Sequence, residues 1–508
     1  MNSSKKNRLL SNTLINNLGT VAQVVIALVL TPFLVTTLGD VKYGIWTIAA
    51  GLSGYMSLLD FGIASAVTRF VSKHHENSDI KKINSTISSA LALFVVISTL
   101  LVTISPIIAK GVVHFVEIDP KLLPIIATLI IVISFDMAIF ILGGVLRGAL
   151  AGFQRYDIAT YIYMTSALFK AIAFVTVLKL DYGLVGMGFS SLATNLLSAF
   201  LFFVLLKKLY PFISIGPSHI SKTTTKSIYT YGKYTFVGMI SNQIIYYSDT
   251  FIVAYFLGAA AVTYYTIPWS LSEYSKQLFL AVSRAFVPVF SSHEAGDRPE
   301  EIKTLYLDGT RYMLIFSNLF CIGFLCLGGD FISIWLGPEY REKCQWLIYI
   351  FFSIQLFSAP QLISYSMLQG LSMHKTYSRA SMVLAVANLI CSLVLVQQYG
   401  LIGVAMGAAI PQFIFYVFFV PIHANKIMGV SSLRYISTTF IKVAVPSAAL
   451  AACCTYVSLQ IQPESFLVLI PLAAICATIY LLLCYVFSLS TKEREKIKSM
   501  IGKQEITN

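Results

Sequence analysis

Runs of about twenty apolar residues, separated by short loops in which Lys and Arg collect, recur along the whole of this 508-residue chain. As a helix, a run of that length crosses a hydrocarbon core of about 30 Å, whereas the strands of a membrane barrel would be segments of about ten residues with alternating polarity. Only 12% of the residues are charged and 57% are hydrophobic, against about 25% charged in an average soluble domain. The fold class that follows is an all-α polytopic membrane protein. Fourteen transmembrane helices are expected, at about 13–37, 44–68, 84–108, 122–147, 158–179, 183–206, 229–257, 261–290, 305–328, 345–370, 378–397, 401–424, 437–459 and 465–489.

Orientation follows from the basic residues. With the N-terminus inside, 28 of the 36 Lys and Arg fall on the cytoplasmic side, and six (Lys42, Lys110, Lys121, Lys179, Arg341, Lys343) fall on the other. Lys170 and Lys276 lie within spans, and both termini are expected to be cytoplasmic. This asymmetry accounts for the net charge of +13, so nucleic-acid binding is not expected. The apolar segment behind Lys5, Lys6 and Arg8 is too long for the core of a signal peptide and reads as the first span. All eight cysteines lie from Cys321 onward without metal-ligand spacing, and they read as small apolar filler. The tail from Lys492 to Lys498 alternates basic residues with Glu493 and Glu495 and reads as solvated, in contact with anionic lipid at most.

The chain echoes itself. Tyr182-Gly183-Leu184-Val185-Gly186 opens span 6, and Tyr399-Gly400-Leu401-Ile402-Gly403 opens span 12. Leu146-Arg147-Gly148 with Tyr156 corresponds to Leu368-Gln369-Gly370 with Tyr377, and Leu38-Gly39 to Leu257-Gly258. The offsets cluster around 220 residues, or six spans, an even number. Two copies in the same sense, related by an axis along the membrane normal, are therefore expected. The domain reading is a six-helix lobe over 1–208, a second over 209–426, and two additional helices with a tail over 427–508.

Pro32-Phe33-Leu34 before Leu38-Gly39, then Tyr43-Gly44-Ile45-Trp46, then Leu58-Leu59-Asp60-Phe61-Gly62 resemble the opening of bacterial polysaccharide exporters. The chain resembles a Wzx-type lipid-linked oligosaccharide flippase, of the superfamily that includes multidrug and toxic-compound extruders and lipid II flippases. The resemblance implies two lobes forming a V in the bacterial inner membrane. It implies transfer of an undecaprenyl-pyrophosphate-linked oligosaccharide to the periplasmic leaflet by alternating access, for O-antigen or capsular polysaccharide. The implied partners are that lipid-linked sugar, membrane lipids, a polysaccharide polymerase and a chain-length regulator.

The chemistry-bearing residues are those that hydrocarbon should exclude. An unpaired charge at the bilayer centre costs about 2.5–3.5 kcal/mol on insertion scales, so such residues are paired or face a wet cavity. On span 8, Glu273, Lys276, Gln277 and Arg284 form one stripe, with Glu273 and Lys276 close enough to pair. On span 7, Asn242, Tyr246 and Asp249 share a face. In the first half, Asp136 and Lys170 lie at similar depth and read as a pair, Arg147 shares a face with Asp136, and Ser53, Ser57 and Asp60 stack on span 2. A pyrophosphate needs cations. Arg284 is the first choice and Lys276 the second, followed by Lys170 and Arg147, with Asn242, Gln277 and Tyr246 for the sugar. Asp60, Asp136, Asp249 and Glu273 are candidates for ion coupling or interlobe contact. The alternatives are structural ion pairs for Asp136–Lys170 and Glu273–Lys276, and interfacial anchoring for Arg147 and Arg284.

No GxxxxGK[ST] and no HExxH occurs, so neither cofactor, metal nor enzymatic activity is expected, and a proton or sodium gradient is the candidate energy source. The nearest rival is an ion-coupled multidrug exporter of the same superfamily, which should favour carboxylates and aromatics over buried cations. A membrane polymerase or glycosyltransferase is the rival from another class, and it would need a larger loop than this chain offers.

Overall fold

The computed structural model describes residues 3–115, 119–495 and 499, excepting the side chains of 3–18, 113–115, 233–235, 237, 238, 241 and 242. Among the described residues there are helices and turns and no strands. The chain divides into two compact units, Met1–Thr266 and Ile267–Asn508. The first holds α1 (Ser3–Met56), α2 (Ile63–Glu76), α3 (Ile80–Phe115), α4 (Leu123–Gly152), α5 (Tyr156–Lys179), α6 (Gly183–Leu209) and α7 (Lys222–Leu257). The helix α8 (Ala259–Arg284) begins in the first unit and ends in the second. There follow α9 (Phe286–Ala295), α10 (Pro299–Leu336), α11 (Pro338–Ser358), α12 (Gln361–Gly370), α13 (Lys375–Ile414), α14 (Val420–Met428), α15 (Ser432–Thr438), α16 (Phe440–Tyr456) and α17 (Phe466–Leu483).

Nine helices among the described residues are long and apolar enough to cross a membrane, and the bent pair α11–α12 is a tenth. Two of the nine, α1 and α13, each carry two of the expected spans, joined at Gly39 and Gly400. Of the remaining expected spans, α7 is only partly described, and α8 is lengthy but made polar by Glu273, Lys276, Gln277 and Arg284. Three expected spans are broken. Span 2 ends in a 3-10 turn, Ser57–Asp60, and the left-handed residues Phe61 and Gly62 before α2. Span 8 breaks at Ala285 before α9. Span 10 bends by 41° beside Pro360, which cannot donate a helical hydrogen bond.

The duplication is visible in the backbone. Gly39 (φ 73°, ψ 168°) and Gly258 (φ 82°, ψ 172°) adopt nearly one conformation, and Gly183 and Gly400 share a φ of 56°. Ser78 (φ 54°) corresponds to Asp297 (φ 50°), and Gln154 (φ 62°) to Ser372 (φ 55°), at the same spacing of about 220 residues. Left-handed backbone is uncommon outside glycine. Its recurrence at four corresponding turns, two of them without sequence identity, is what two copies of one chain path produce.

In the first unit, α2 to α6 enclose a core containing Val67, Ile87, Phe94, Val145, Leu150 and Leu206. The second part of α1 runs antiparallel along α7 through small residues. Gly51 faces Phe251, Gly54 faces the Tyr247 ring, and Gln243 Nε2 donates to Ser57 Oγ at 2.7 Å. At one end of this seam, a Cβ on Gly44 would stand 1.8 Å from the Ala259 carbonyl oxygen. Beside it Asp40 accepts hydrogen bonds from Thr263, at its backbone oxygen at 2.7 Å, and from the Tyr264 hydroxyl, at its carboxylate. Small residues of this kind let membrane helices approach closely where no hydrophobic effect drives them together.

In the second unit, α16 and α17 pack on α10 through Ile322, Leu327, Leu450, Leu469 and Tyr480, with Cys454 and Cys476 as small filler. The tail is less solvated than its sequence implies. Glu493 reaches Arg311 of α10, a side chain 4% exposed that also pairs with Asp308 at 3.0 Å, and it accepts from the Tyr312 hydroxyl. Burial raises the Glu493 carboxyl, but hydrogen bonds from Tyr312 and Ser490 and the charge of Arg311 outweigh it and hold the group below the usual glutamate value.

Two outcomes follow for purified protein. Gly44→Val should cost about 1–3 kcal/mol by overpacking and lower the melting temperature, whereas Gly323→Ala, with nothing within 4 Å of its Cβ, should not; equal melting temperatures for both variants would contradict the seam. A depressed carboxyl contributes stability that is complete above its unfolded value, about 4.3, and is lost as pH falls through the lower folded value. Glu493→Gln should therefore be less stable than wild type at neutral pH. The gap should close on acidification from about pH 6 to about pH 3, and a gap constant over that range would refute the ion-pair role.

Candidate functional site

The intramembrane charges of the first unit gather into two groups. The first forms because Gly148 and Gly152 let α4 pack against α2. A Cβ at Gly148 would stand 2.8 Å from the Ala64 carbonyl oxygen, and the Thr68 hydroxyl donates to the Gly148 carbonyl at 3.1 Å. That contact brings the break before α2 beside Arg147. Asp60 caps the helix there, accepting from the Ala64 amide at 3.0 Å, a favourable place for a negative charge. It also acts on Arg147 through space. The guanidinium lies 5.6 Å from the Tyr163 ring centre and 5.7 Å from that of Phe140, and Nη1 donates to the Tyr163 hydroxyl. Arg147 is thus held in an aromatic cradle near, and not in contact with, a carboxylate.

The second group corrects an expectation. Asp136, 6% exposed, does not form a direct ion pair with Lys170; its Oδ1 accepts from Asn195 Nδ2 at 2.6 Å. Lys170 and Asp136 interact only through the field between them. The half-buried lysine has its Nζ 5.4 Å from the Phe174 ring centre and makes no hydrogen bond or ion pair among the described residues. On α7, Asp249 is 4% exposed and accepts from the Tyr265 hydroxyl at 2.9 Å, while Tyr246 is half-buried. The side chain of Asn242 lies outside the described residues. The stack of Ser53, Ser57 and Asp60 stops where the helix tightens after Met56: Ser53 and Ser57 donate to the carbonyls of Ala49 and Gly54.

The polar stripe of α8 belongs to the second unit. Lys276 Nζ pairs with Glu273 Oε1 at 2.8 Å, as their spacing implies, and both are part-buried. Gln277 is half-buried, and Arg284, the last residue of the helix, is exposed with no partner among the described residues. The stripe is anchored from behind. Gln355 donates to the Ser272 carbonyl at 2.7 Å, and Ser283 bonds Ser366 at 2.7 Å.

The charge arrangement is asymmetric. Each of the four candidate carboxylates is engaged: Asp60 by an amide, Asp136 by Asn195, Asp249 by Tyr265 and Glu273 by Lys276. Two candidate cations, Lys170 and Arg284, have no hydrogen-bond or ion-pair partner among the described residues. The contributors that sequence reasoning missed, Tyr163, Asn195 and Gln243, are polar residues inside apolar runs; that was their signal, but their partners lie on other helices. No group of His, Cys, Asp and Glu among the described residues has the geometry of a metal site.

The family described as polysaccharide biosynthesis protein matches residues 9–294, more than half of the chain. A putative O-antigen transporter of Shigella flexneri is 24% identical over 79% of this chain and 94% of its own length. A probable flippase, AglR, of Haloferax volcanii is 21% identical over 95% of this chain and 96% of its own. Among solved structures, the lipid II flippase MurJ in an inward closed conformation aligns with a TM-score of 0.73 at 16% identity, over 94% of this chain and 98% of that one. An inward-facing multidrug resistance transporter of the MATE family and MOP superfamily aligns with a TM-score of 0.65 at 14% identity, over 81% and 100%. At these identities the two structures speak for the fold alone. The multi-pass helical architecture, the motifs of the first two spans and the match over 9–294 agree: the chain belongs to the polysaccharide biosynthesis protein family.

Proposed function

We propose that this protein is a flippase that moves a polyprenyl-pyrophosphate-linked oligosaccharide from the cytoplasmic to the external leaflet, for O-antigen or capsular polysaccharide assembly. The observation that carries the reading is the asymmetry of the candidate charges: the four candidate carboxylates have hydrogen-bond or ion-pair partners, and among the described residues Lys170, beside the Phe174 ring, and Arg284 have none. A pyrophosphate cannot cross hydrocarbon unescorted, so its route must supply cations, while the polyprenyl tail stays in lipid. Arg284 can bind phosphate oxygens bidentately, and Lys276 can exchange Glu273 for a phosphate. Arg147 of the first unit, already cradled, has remaining N–H groups that suit an anion as well. Hydroxyl and amide groups such as Gln277 suit the sugar.

In this reading the protein is a transporter and not an enzyme. The two copies, 1–208 and 209–426, are the halves that alternate, and 427–508 accompanies the second. Both termini are cytoplasmic, as the basic loops require, and the membrane is the bacterial inner membrane. Energy comes from an ion gradient or from removal of the product outside, where a polymerase and its chain-length regulator would act. The fold likeness to a multidrug transporter keeps a cation exporter as the second reading. Such a protein needs free carboxylates for cationic substrates, and here the intramembrane carboxylates are engaged.

In cells lacking their own oligosaccharide flippase, Arg284→Ala and Lys276→Ala should each cut surface glycan by about 10–100-fold, the worth of a charge-assisted hydrogen bond, with normal protein in the membrane. Lys170→Met should likewise cut export and leave the melting temperature of the purified protein unchanged or raised, because it removes a charge that has no ion-pair or hydrogen-bond partner among the described residues and keeps an apolar chain against Phe174. Normal export by both α8 variants would remove the anion-holding role, and a lowered melting temperature for Lys170→Met would make that lysine structural.

A further inference from the structure

A polar cavity of about 600 Å³ lies in the second unit where the end of α10, the start of α11 and the turn between α16 and α17 meet. That volume is within the range of clefts that hold small ligands, about 300–1,000 Å³. Its charged group is positioned from beneath. A Cβ at Gly329 would stand 3.3 Å from Arg341 Nε, so the glycine gives the arginine a seat across α10. Next to it Asp330, its side chain 3% exposed, accepts from Arg341 Nη1 at 2.7 Å and from the Ser458 hydroxyl. The buried carboxylate is thereby used up in aiming Arg341, which remains 40% exposed and lines the cavity with most of its five N–H donors unspent.

The opposite wall is built from irregular backbone. The helix α16 passes into a π-helical segment, Val457–Ile461, and then into Gln462, whose φ of 47° is left-handed. π-Helical segments and left-handed non-glycine residues are uncommon, and both concentrate at functional sites. Pro463 continues the turn and leaves Gln462 and Glu464 exposed at the rim. The cavity therefore joins a donor (Arg341), an acceptor (Glu464) and groups that are both (Ser333, Gln462).

The sum of these groups selects a ligand class. One arginine faces two carboxylates, so the cavity holds no surplus positive charge for phosphate. A ring of hydroxyls, each both donor and acceptor, satisfies such a mixed set. We propose that this cavity is a binding subsite for neutral hexose units. Placing it at the external end, with the exported glycan as the source of the sugar, rests on the flippase reading; the hexose chemistry of the cavity does not.

The test is saturation-transfer difference NMR on the full chain in lipid nanodiscs, with glucose, galactose and N-acetylglucosamine as probes and inorganic phosphate as competitor. At least one hexose should bind saturably and resist displacement by phosphate. Glu464→Gln and Gln462→Ala, both at the exposed rim and harmless to folding, should weaken it by about tenfold, and Arg341→Ala should abolish it. Absence of saturable hexose binding to the wild type, displacement by phosphate, or unchanged binding in both rim variants would overturn the proposal. Binding at equilibrium needs no transport, so failure here is distinguishable from failure of glycan export.

Discussion

Charge in hydrocarbon is the constraint from which this structure is organised. Each ionised group near the bilayer centre costs about 2.5–3.5 kcal/mol unless something offsets it, and the chain offsets its negative and positive groups differently. Its carboxylates are bound locally. Asp60 caps a helix, Asp136 and Asp249 take neutral donors, and Glu273 takes a lysine one helical turn away. Its cations are only partly offset: Arg147 and Lys170 lie beside aromatic rings, and Lys170 and Arg284 have neither a hydrogen bond nor an ion pair among the described residues. In the proposed function an anionic cargo gives those charges a use.

Helices that carry these charges are joined at close range by glycines, aromatic rings and polar contacts. The seam of α1 with α7 and the start of α8 includes glycines and a few polar contacts, Asp40 with Thr263 and Tyr264 of α8 and Ser57 with Gln243 of α7. Aromatic rings fill the rest of it: the Tyr55 ring centre lies 6.1 Å from that of Tyr247 and 5.5 Å from that of Phe251. The glycines let these helices approach closely and seat the rings between them. The breaks at Phe61–Gly62, Ala285 and Pro360 divide long spans into segments that can tilt separately. The positive-φ turns repeated about 220 residues apart place equivalent changes of chain direction in the two halves of the sequence.

Much of this was legible from sequence because it is periodic. Apolar run lengths identified the all-helical, many-span class, the Tyr-Gly-Leu-x-Gly echoes fall on glycines that share a φ of 56°, and the spacing of Glu273 and Lys276 identified their pair. Contacts between helices distant in the chain were not legible. Asp136 and Lys170 agree in depth, but depth does not say that Asn195 of α6 stands nearer the carboxylate. Glu493 finds Arg311 across 182 residues, and Ser458 finds Asp330 across 128, with no local pattern to announce either. The repeated left-handed turns at Ser78 and Asp297 escaped because the two residues differ, although the backbone they serve is the same.

The central claim is that the unoccupied cations serve an anionic, lipid-linked sugar. It is tested most directly by translocation in proteoliposomes, with a synthetic polyprenyl-pyrophosphate-linked saccharide placed in both leaflets and a glycosidase added outside. The account predicts that digestion runs to completion when the protein is present, and stops at the outer-leaflet fraction in protein-free liposomes. Digestion that stops at the outer-leaflet fraction in both, while an organic cation is carried across the same vesicles, would contradict it.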